Sequence, residues 1–348
     1  MGVSDVFELS EFIVKSLKKS FRRALGMSIL AVLSANTFAD LTNNNTQGHI
    51  SWSADDAKEL LAEDEPNIQG STQLSTTIRR TSALPSHQAP QVVDTSFSSN
   101  GPTVHAGSAL VMDAHTGEVL YSKNSNSARP MASITKLMTA VITADARLNM
   151  SEEITLQPID FEGPKKASST LRVGDKMNRA EILLVALMKS ENPAAAALAR
   201  TYPGGRTAFI SAMNSKAHQL GMSSTRYFES TGLDPRNVSS ARDLAILATE
   251  AYKYGVIRQF ASTPHYDFNL GYRVLKSSNT NALVRNGGWN INLSKTGFIN
   301  EAGRCVVMHT TVNSRPAVVV LMGEPTGQAR NNDATNLLNW LTYLPKRI

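Results

Sequence analysis

Alternating and clustered apolar positions define regular elements from about Thr103 onward. Ser108–Asp113 and Glu118–Tyr121 read as strands around His115-Thr116-Gly117, a hairpin signal. Ile134–Ile142 is apolar enough for a buried helix. Asn178-Arg-Ala-Glu181 resembles a capping box that opens a helix over Ile182–Lys189. Asn192-Pro193 starts another over Ala194–Arg200, with Asn192 as its cap and Pro193 at its first position. Ala241–Tyr254 forms one more helix. Arg304–Val312 and Ala317–Met322 are β-rich runs joined by Asn313-Ser-Arg-Pro316, and Asn332–Leu341 closes the chain as an amphipathic helix. Strands at both ends with helices between predict an α+β fold. One antiparallel sheet is built from both chain ends, with helices packed on it and a helical subdomain.

The first hundred residues follow a different pattern. Lys15, Lys18, Lys19, Arg22 and Arg23 precede an apolar run from Ala24 to Ala35 and then Asn36-Thr37-Phe38-Ala39. This is the charged, apolar and small-residue order of an export signal, predicted over residues 1–39 with cleavage after Ala39. A membrane anchor is the alternative, but about twelve apolar residues fall short of the roughly 20 that span a bilayer. Residues 40–101 are rich in Ser, Thr, Asn, Gln, Gly and Pro and read as a disordered polar leader, with a spacer or partner-binding arm as the alternative. The patterned remainder, 102–348, is one domain.

Charge and composition narrow the chemistry. The chain is 41% hydrophobic and 18% charged, ordinary globular content. Net charge is +6, of which residues 1–39 contribute five Lys/Arg against three acids, so the rest carries only +4. That is too weak and dispersed for a nucleic-acid partner, though it tolerates anionic polymers. The lone cysteine, Cys305, excludes an intrachain disulfide and Cys-based zinc motifs, and no HExxH occurs, so no metal site is readable. An exported chain without paired cysteines fits a bacterial periplasm.

Three short motifs occur in order: Ser133-Ile-Thr-Lys136, Ser190-Glu-Asn192 and Lys295-Thr-Gly297. SxxK recurs at Ser16–Lys19 and SxN occurs five times, so no single match is informative; KTG occurs once. Their contexts carry the argument. Ser133 stands where a loop containing Pro130 enters the first helix, with Lys136 one turn on along the same face. A serine hydroxyl needs a base to become a nucleophile, and a lysine serves once its pKa is depressed, by burial or by the charge of Lys295. Without that role Lys136 is a surface lysine, yet Leu137 and Met138 continue the helix as a buried one. Ser190 and Asn192 lie in a turn between two helices, where Asn192 could also act only as a cap. Lys295-Thr296-Gly297 follows a strand over Asn290–Ser294; it offers a cation, a hydroxyl and a backbone open to close approach, or else merely a polar strand end.

With Pro130-Met-Ala-Ser-Ile-Thr-Lys136, Leu171-Arg-Val-Gly-Asp175, Gly232-Leu-Asp234 and Ser240-Ala-Arg-Asp-Leu244, the ordered triple resembles the low-molecular-mass penicillin-binding proteins of the D-alanyl-D-alanine carboxypeptidase and endopeptidase family. The motif intervals of 57 and 105 residues are similar to that family's, and the likeness covers about Ala106–Leu344. The resemblance implies a transpeptidase fold of the penicillin-binding and serine β-lactamase type. It implies acyl transfer from a D-Ala residue of a peptidoglycan stem peptide to Ser133, with Lys136 as base. Ser190 would relay a proton to the leaving amine, Asn192 would orient substrate and Lys136, and Lys295, Thr296 and Gly297 would hold the adjacent carboxylate. Backbone N–H groups of Ser133 and Phe298 would form the oxyanion hole. No cofactor is implied, and β-lactam antibiotics would be covalent inhibitors.

Phe298 stands where carboxypeptidases of this type often carry His, and only about 51 residues follow Gly297, too few for a further β domain and an anchor helix. Both features resemble the short periplasmic D,D-endopeptidases, as does Gly303-Arg-Cys305. The alternative is a D,D-carboxypeptidase removing terminal D-Ala. A serine β-lactamase is disfavoured because no Glu-x-x-x-Asn lies between Ser133 and Lys295. A non-catalytic wall-binding protein is disfavoured by the intact motifs.

Overall fold

Val318, Val320 and Met322 turn to one face of a strand while Ala317, Val319 and Leu321 turn to the other, and both sets are fully buried. A strand apolar on both faces must lie between two layers, and the architecture follows from that. A computed structural model describes residues 101–345. The expected export signal and all of the polar leader but its last residue lie outside the described residues.

The central sheet holds β1 (Ser108–Asp113), β2 (Val119–Lys123), β9 (Ile291–Ile299), β10 (Gly303–Val312) and β11 (Arg315–Glu324) in the order β2-β1-β11-β10-β9, every pair antiparallel. Leu110 and Val307 both pair with Val320, so both chain ends meet on β11 as expected. Three two-stranded ribbons complete the strands: β3 (Arg129–Pro130) with β6 (Val238–Ser239), β4 (Glu153–Thr155) with β5 (Lys176–Asn178), and β7 (His265–Asn269) with β8 (Val274–Ser278). One face of the main sheet packs on the helical body: α1 (Thr135–Asp145), α2 (Arg179–Met188), α3 (Asn192–Arg200), α4 (Gly205–Gln219), α5 (Ala241–Tyr252) and α6 (Gly255–Ser262). The short α7 (Ala282–Asn286) lies ahead of β9, and α8 (Gly327–Tyr343) covers the opposite face through Leu337, Leu338 and Leu341.

The Asn178–Glu181 capping box forms as predicted. Asn178 Oδ1 accepts from Glu181 N at 2.8 Å, and Glu181 Oε2 accepts from Asn178 N at 3.1 Å. Other expectations shift. Asn192 is the first residue of α3 and Glu191 occupies the cap position, with no side-chain cap bond, because the Asn192 amide is engaged elsewhere. Lys295-Thr-Gly297 lies inside β9 rather than after a strand ending at Ser294. The predicted helix Ala241–Tyr254 ends at Tyr252, and Gly255 begins a separate α6. The last helix begins at Gly327, capped by Thr326 Oγ1, ahead of the expected Asn332.

Candidate active site

Ser133 sits in a 3-10 turn, Ala132–Ile134, that feeds directly into α1, so Lys136 falls in the helix's first turn. Ala132 takes φ +50, a conformation an alanine adopts only under constraint. Two constraints are visible. Thr135 Oγ1 donates to Ala132 O at 2.8 Å, and a Cβ on Gly232 would lie 1.9 Å from the same oxygen. Gly232, at φ +86, is therefore the residue that lets the backbone approach beneath the Ala132–Ser133 peptide.

Lys136 is 1% exposed. Its Nζ lies 2.9 Å from Ser133 Oγ, 2.7 Å from Asn192 Oδ1 and 2.6 Å from Thr231 O. Burial lowers its pKa to about 7, against the opposing pull of the Glu229 and Glu191 carboxylates. Burial, one of the two expected causes, is the largest. Burial first, and then the charges of Lys136 and Arg330, hold the Lys295 pKa well below the ordinary lysine value.

Ser190 adopts the left-handed region at φ +67, and its Oγ accepts from Lys295 Nζ at 2.8 Å. The same ammonium donates to Thr296 O at 2.9 Å, and Thr296 Oγ1 donates to Thr280 Oγ1 at 2.7 Å. A Cβ on Gly297 would stand 3.0 Å from both Met131 O and Ser133 N, so glycine brings the β9 backbone against the nucleophile's amide. Phe298 is 44% exposed, and the Arg304 guanidinium lies 3.6 Å from its ring centroid. The structure brings Ser133, Lys136, Ser190, Asn192, Lys295, Thr296 and Gly297 together between α1, the Ser190 turn and β9, and Phe298 follows them along β9.

Several contributors carry no motif. Glu229 accepts from Thr231 N and Gly232 N at 2.5 Å each and from Asn237 Nδ2 at 3.0 Å, which shapes the loop under Lys136. Glu191 accepts from Ser169 Oγ and Thr170 Oγ1 at 2.5 Å each and from Thr170 N at 3.1 Å, turning its carboxylate away from its two neighbours in the motif. Thr280 reaches the site only through folding, as the acceptor from Thr296, and Arg330 acts on Lys295 through its charge. Among the described residues, no group of three or more His, Cys, Asp or Glu side chains is arranged to hold a metal ion.

The fold has close counterparts among solved structures. The DD-transpeptidase of Streptomyces K15 superposes with a TM-score of 0.65 at 29% identity, covering 70% of this chain and 100% of that one. The architecture is thus that of the DD-transpeptidases and penicillin-binding proteins. The profile of the D-alanyl-D-alanine carboxypeptidase family, peptidase S11, matches residues 95–326, and the chain belongs to that family. A D-alanyl-D-alanine endopeptidase of Pseudomonas aeruginosa is 46% identical over 243 residues, 68% of this chain and 77% of the relative. One from Escherichia coli is 42% identical over 258 residues, 73% and 83% respectively. A D-alanyl-D-alanine carboxypeptidase of Bacillus subtilis is 32% identical over 244 residues, 68% of this chain and 61% of the relative.

Proposed function

We propose that the chain is a serine D,D-peptidase of peptidoglycan that hydrolyses D-Ala–diamino acid crosslinks through an acyl-enzyme on Ser133. The observation that carries this reading is the buried Lys136 amine at 2.9 Å from Ser133 Oγ. A neutral amine has two hydrogens and one lone pair. Two of its three neighbours, Asn192 Oδ1 and Thr231 O, are carbonyl acceptors, and they consume both hydrogens. The lone pair is left for the Ser133 hydroxyl proton.

Ser133 Oγ attacks the D-Ala carbonyl carbon as its proton passes to Lys136 Nζ. The resulting oxyanion is met by the backbone N–H groups of Ser133 and Phe298, and donors of this kind contribute roughly 10²–10³ in rate each. Alternation along β9 supports the second donor. Thr296 turns its carbonyl to Lys295 Nζ, and Phe298, two residues on, directs its backbone polar groups to the same side. Collapse breaks the C–N bond. The departing nitrogen takes a proton from Ser190, which is resupplied through Lys136 or Lys295. Water then attacks the ester, returning the proton to Ser133 and releasing the stem peptide. Lys295, Thr296 and Gly297 receive the carboxylate beside the scissile bond, and a β-lactam stops at the acylated Ser133.

The 46% and 42% identical relatives named endopeptidases favour a crosslink over a terminal D-Ala as substrate. The reaction would take place in the periplasm, in keeping with the export signal read over residues 1–39. Among the described residues no helix is long and apolar enough to cross a membrane.

Digestion of purified muropeptides, scored by mass, tests the reading. Crosslinked dimers should be split to monomers faster than pentapeptide monomers lose D-Ala, and Ser133→Ala should abolish both reactions along with penicillin labelling while leaving the fold intact. Faster D-Ala release from monomers would make the enzyme a carboxypeptidase.

A further inference from the structure

Residues 162–170 have no regular structure. Among the described residues, no backbone group of residues 163–170 is hydrogen-bonded to another backbone group. The segment is held instead from three sides. At its carboxyl end Ser169 and Thr170 donate three hydrogen bonds to Glu191, a 6% exposed side chain in the same turn as Ser190 and Asn192. Arg273, from the turn between β7 and β8, donates to Thr170 O at 2.9 Å. At its amino end Lys165 pairs with Glu301 of the turn between β9 and β10. Gly163 lies beside Leu233, the neighbour of the glycine that underlies Ser133. The segment therefore reaches from the helical wall of the cleft to the turn beyond Phe298.

The two ends are held unequally. Glu191 is buried and satisfied by three donors, whereas the side chains of Lys165 and Glu301 are 34% and 43% exposed. An exposed ion pair is weak and is screened by salt. A segment without backbone–backbone hydrogen bonds, fixed firmly at one end and loosely at the other, opens at the loose end.

We propose that residues 162–170 are a strap hinged at Glu191 and latched by Lys165 and Glu301, and that these latch residues set substrate specificity. This rests on the endopeptidase reading and adds to it the device that discriminates by leaving group. β-Lactams and short peptide ends enter beneath the closed strap. A crosslink carries a second stem peptide on its leaving amine, which needs room past Phe298 toward the turn that Glu301 occupies, so the latch opens for it.

The test uses the full chain with Glu301→Gln, Lys165→Met and the charge-reversed pair Lys165→Glu/Glu301→Lys. Three readouts are taken: kcat/KM on a crosslinked muropeptide dimer, the rate of acylation by a fluorescent penicillin, and amide hydrogen exchange over residues 163–170. Each single variant should raise dimer cleavage by about threefold, the scale of an exposed ion pair. Penicillin acylation should stay at the wild-type rate, and exchange over the strap should quicken. The reversed pair should restore all three to wild type. Added salt should stimulate dimer cleavage by the wild type and not by Glu301→Gln. Dimer cleavage that is unchanged or falls in the single variants would overturn the latch, the latter showing that the strap grips the leaving peptide instead. A wild-type enzyme that takes penicillin but leaves dimers intact overturns the endopeptidase reading, and the latch is then judged by exchange alone.

Discussion

Burial depresses the Lys136 pKa while two carboxylates, Glu229 and Glu191, resist it. The balance leaves the amine near neutrality, where it can be deprotonated at working pH and still hold the proton it takes. Since the base must be neutral, acylation should rise with pH through a limb near 7. Glu229→Gln and Glu191→Gln each remove a charge that favours the ammonium, so each should move the limb to lower pH. Lys136→Arg keeps the charge but loses acylation, because a guanidinium does not give up its proton in a protein. Rates of acylation by a chromogenic β-lactam across pH 5–9 read all of these. A limb that stays in place in both carboxylate variants would remove the electrostatic account.

At the scale of elements, the site depends on two close backbone approaches. One is β9 at Gly297 against Ser133 N; the other is Gly232 against the 3-10 turn. Gly232→Ala should be severe, because a Cβ there meets Ala132 O at 1.9 Å and φ is +86. Gly174 supplies the control, with φ +91 and nothing within 4 Å of where a Cβ would stand. Gly174→Ala should cost about 1 kcal/mol, the strain of a positive φ alone, and leave acylation intact. Gly232→Ala should cost more than that and also lose penicillin labelling, since the displaced peptide carries the nucleophile. Urea unfolding read beside labelling separates the two effects. Equal losses of stability in both variants with labelling intact would show that the turn absorbs the methyl group.

Across the whole molecule, the two ends of the domain are tied by buried acids. Asp333 of α8 accepts from His105 N and from Ala106 N, the latter at 3.1 Å, and so anchors the entering chain. Fully buried Glu324 lies beside it. Burial first, then the neighbouring Asp333, holds the Glu324 carboxyl well above the ordinary glutamate range. A group whose folded pKa is raised contributes stability that is full below its unfolded value and is lost as pH climbs through the folded one. Thermal unfolding midpoints should therefore decline from mildly acidic to alkaline pH, and Glu324→Gln should flatten that decline. An equally steep profile in the variant would exclude Glu324 as its source. Because these ties begin at His105, a chain starting at Gly101 should fold and acylate like the full-length protein. Loss of penicillin labelling in a folded truncated protein would show that residues 1–100 build part of the site.

The sequence by itself determined the class of fold, the strands that bring both chain ends together, the Asn178 capping box and the three ordered motifs that the fold brings near one another. Those features rest on local periodicity, on local capping chemistry and on ordered motifs, all of which are written in neighbouring residues. Other features were decided only in three dimensions. The cap position of α3 passed from Asn192 to Glu191, while the Asn192 side-chain oxygen accepts from Lys136, as expected, across 56 positions of chain. The β7–β8 ribbon and α4 went unread. In α4 only Phe209, Met213 and Ala217 are buried, too sparse a stripe to stand out among polar residues. Thr280 and Glu229 belong to the site through distant partners, Thr296 and Lys136, and a lone Thr or Glu carries no local signal of such a partner. The depressed pKa of Lys136 is likewise a tertiary property, since it depends on how much water the closed core removes and on which carboxylates remain near enough to oppose it.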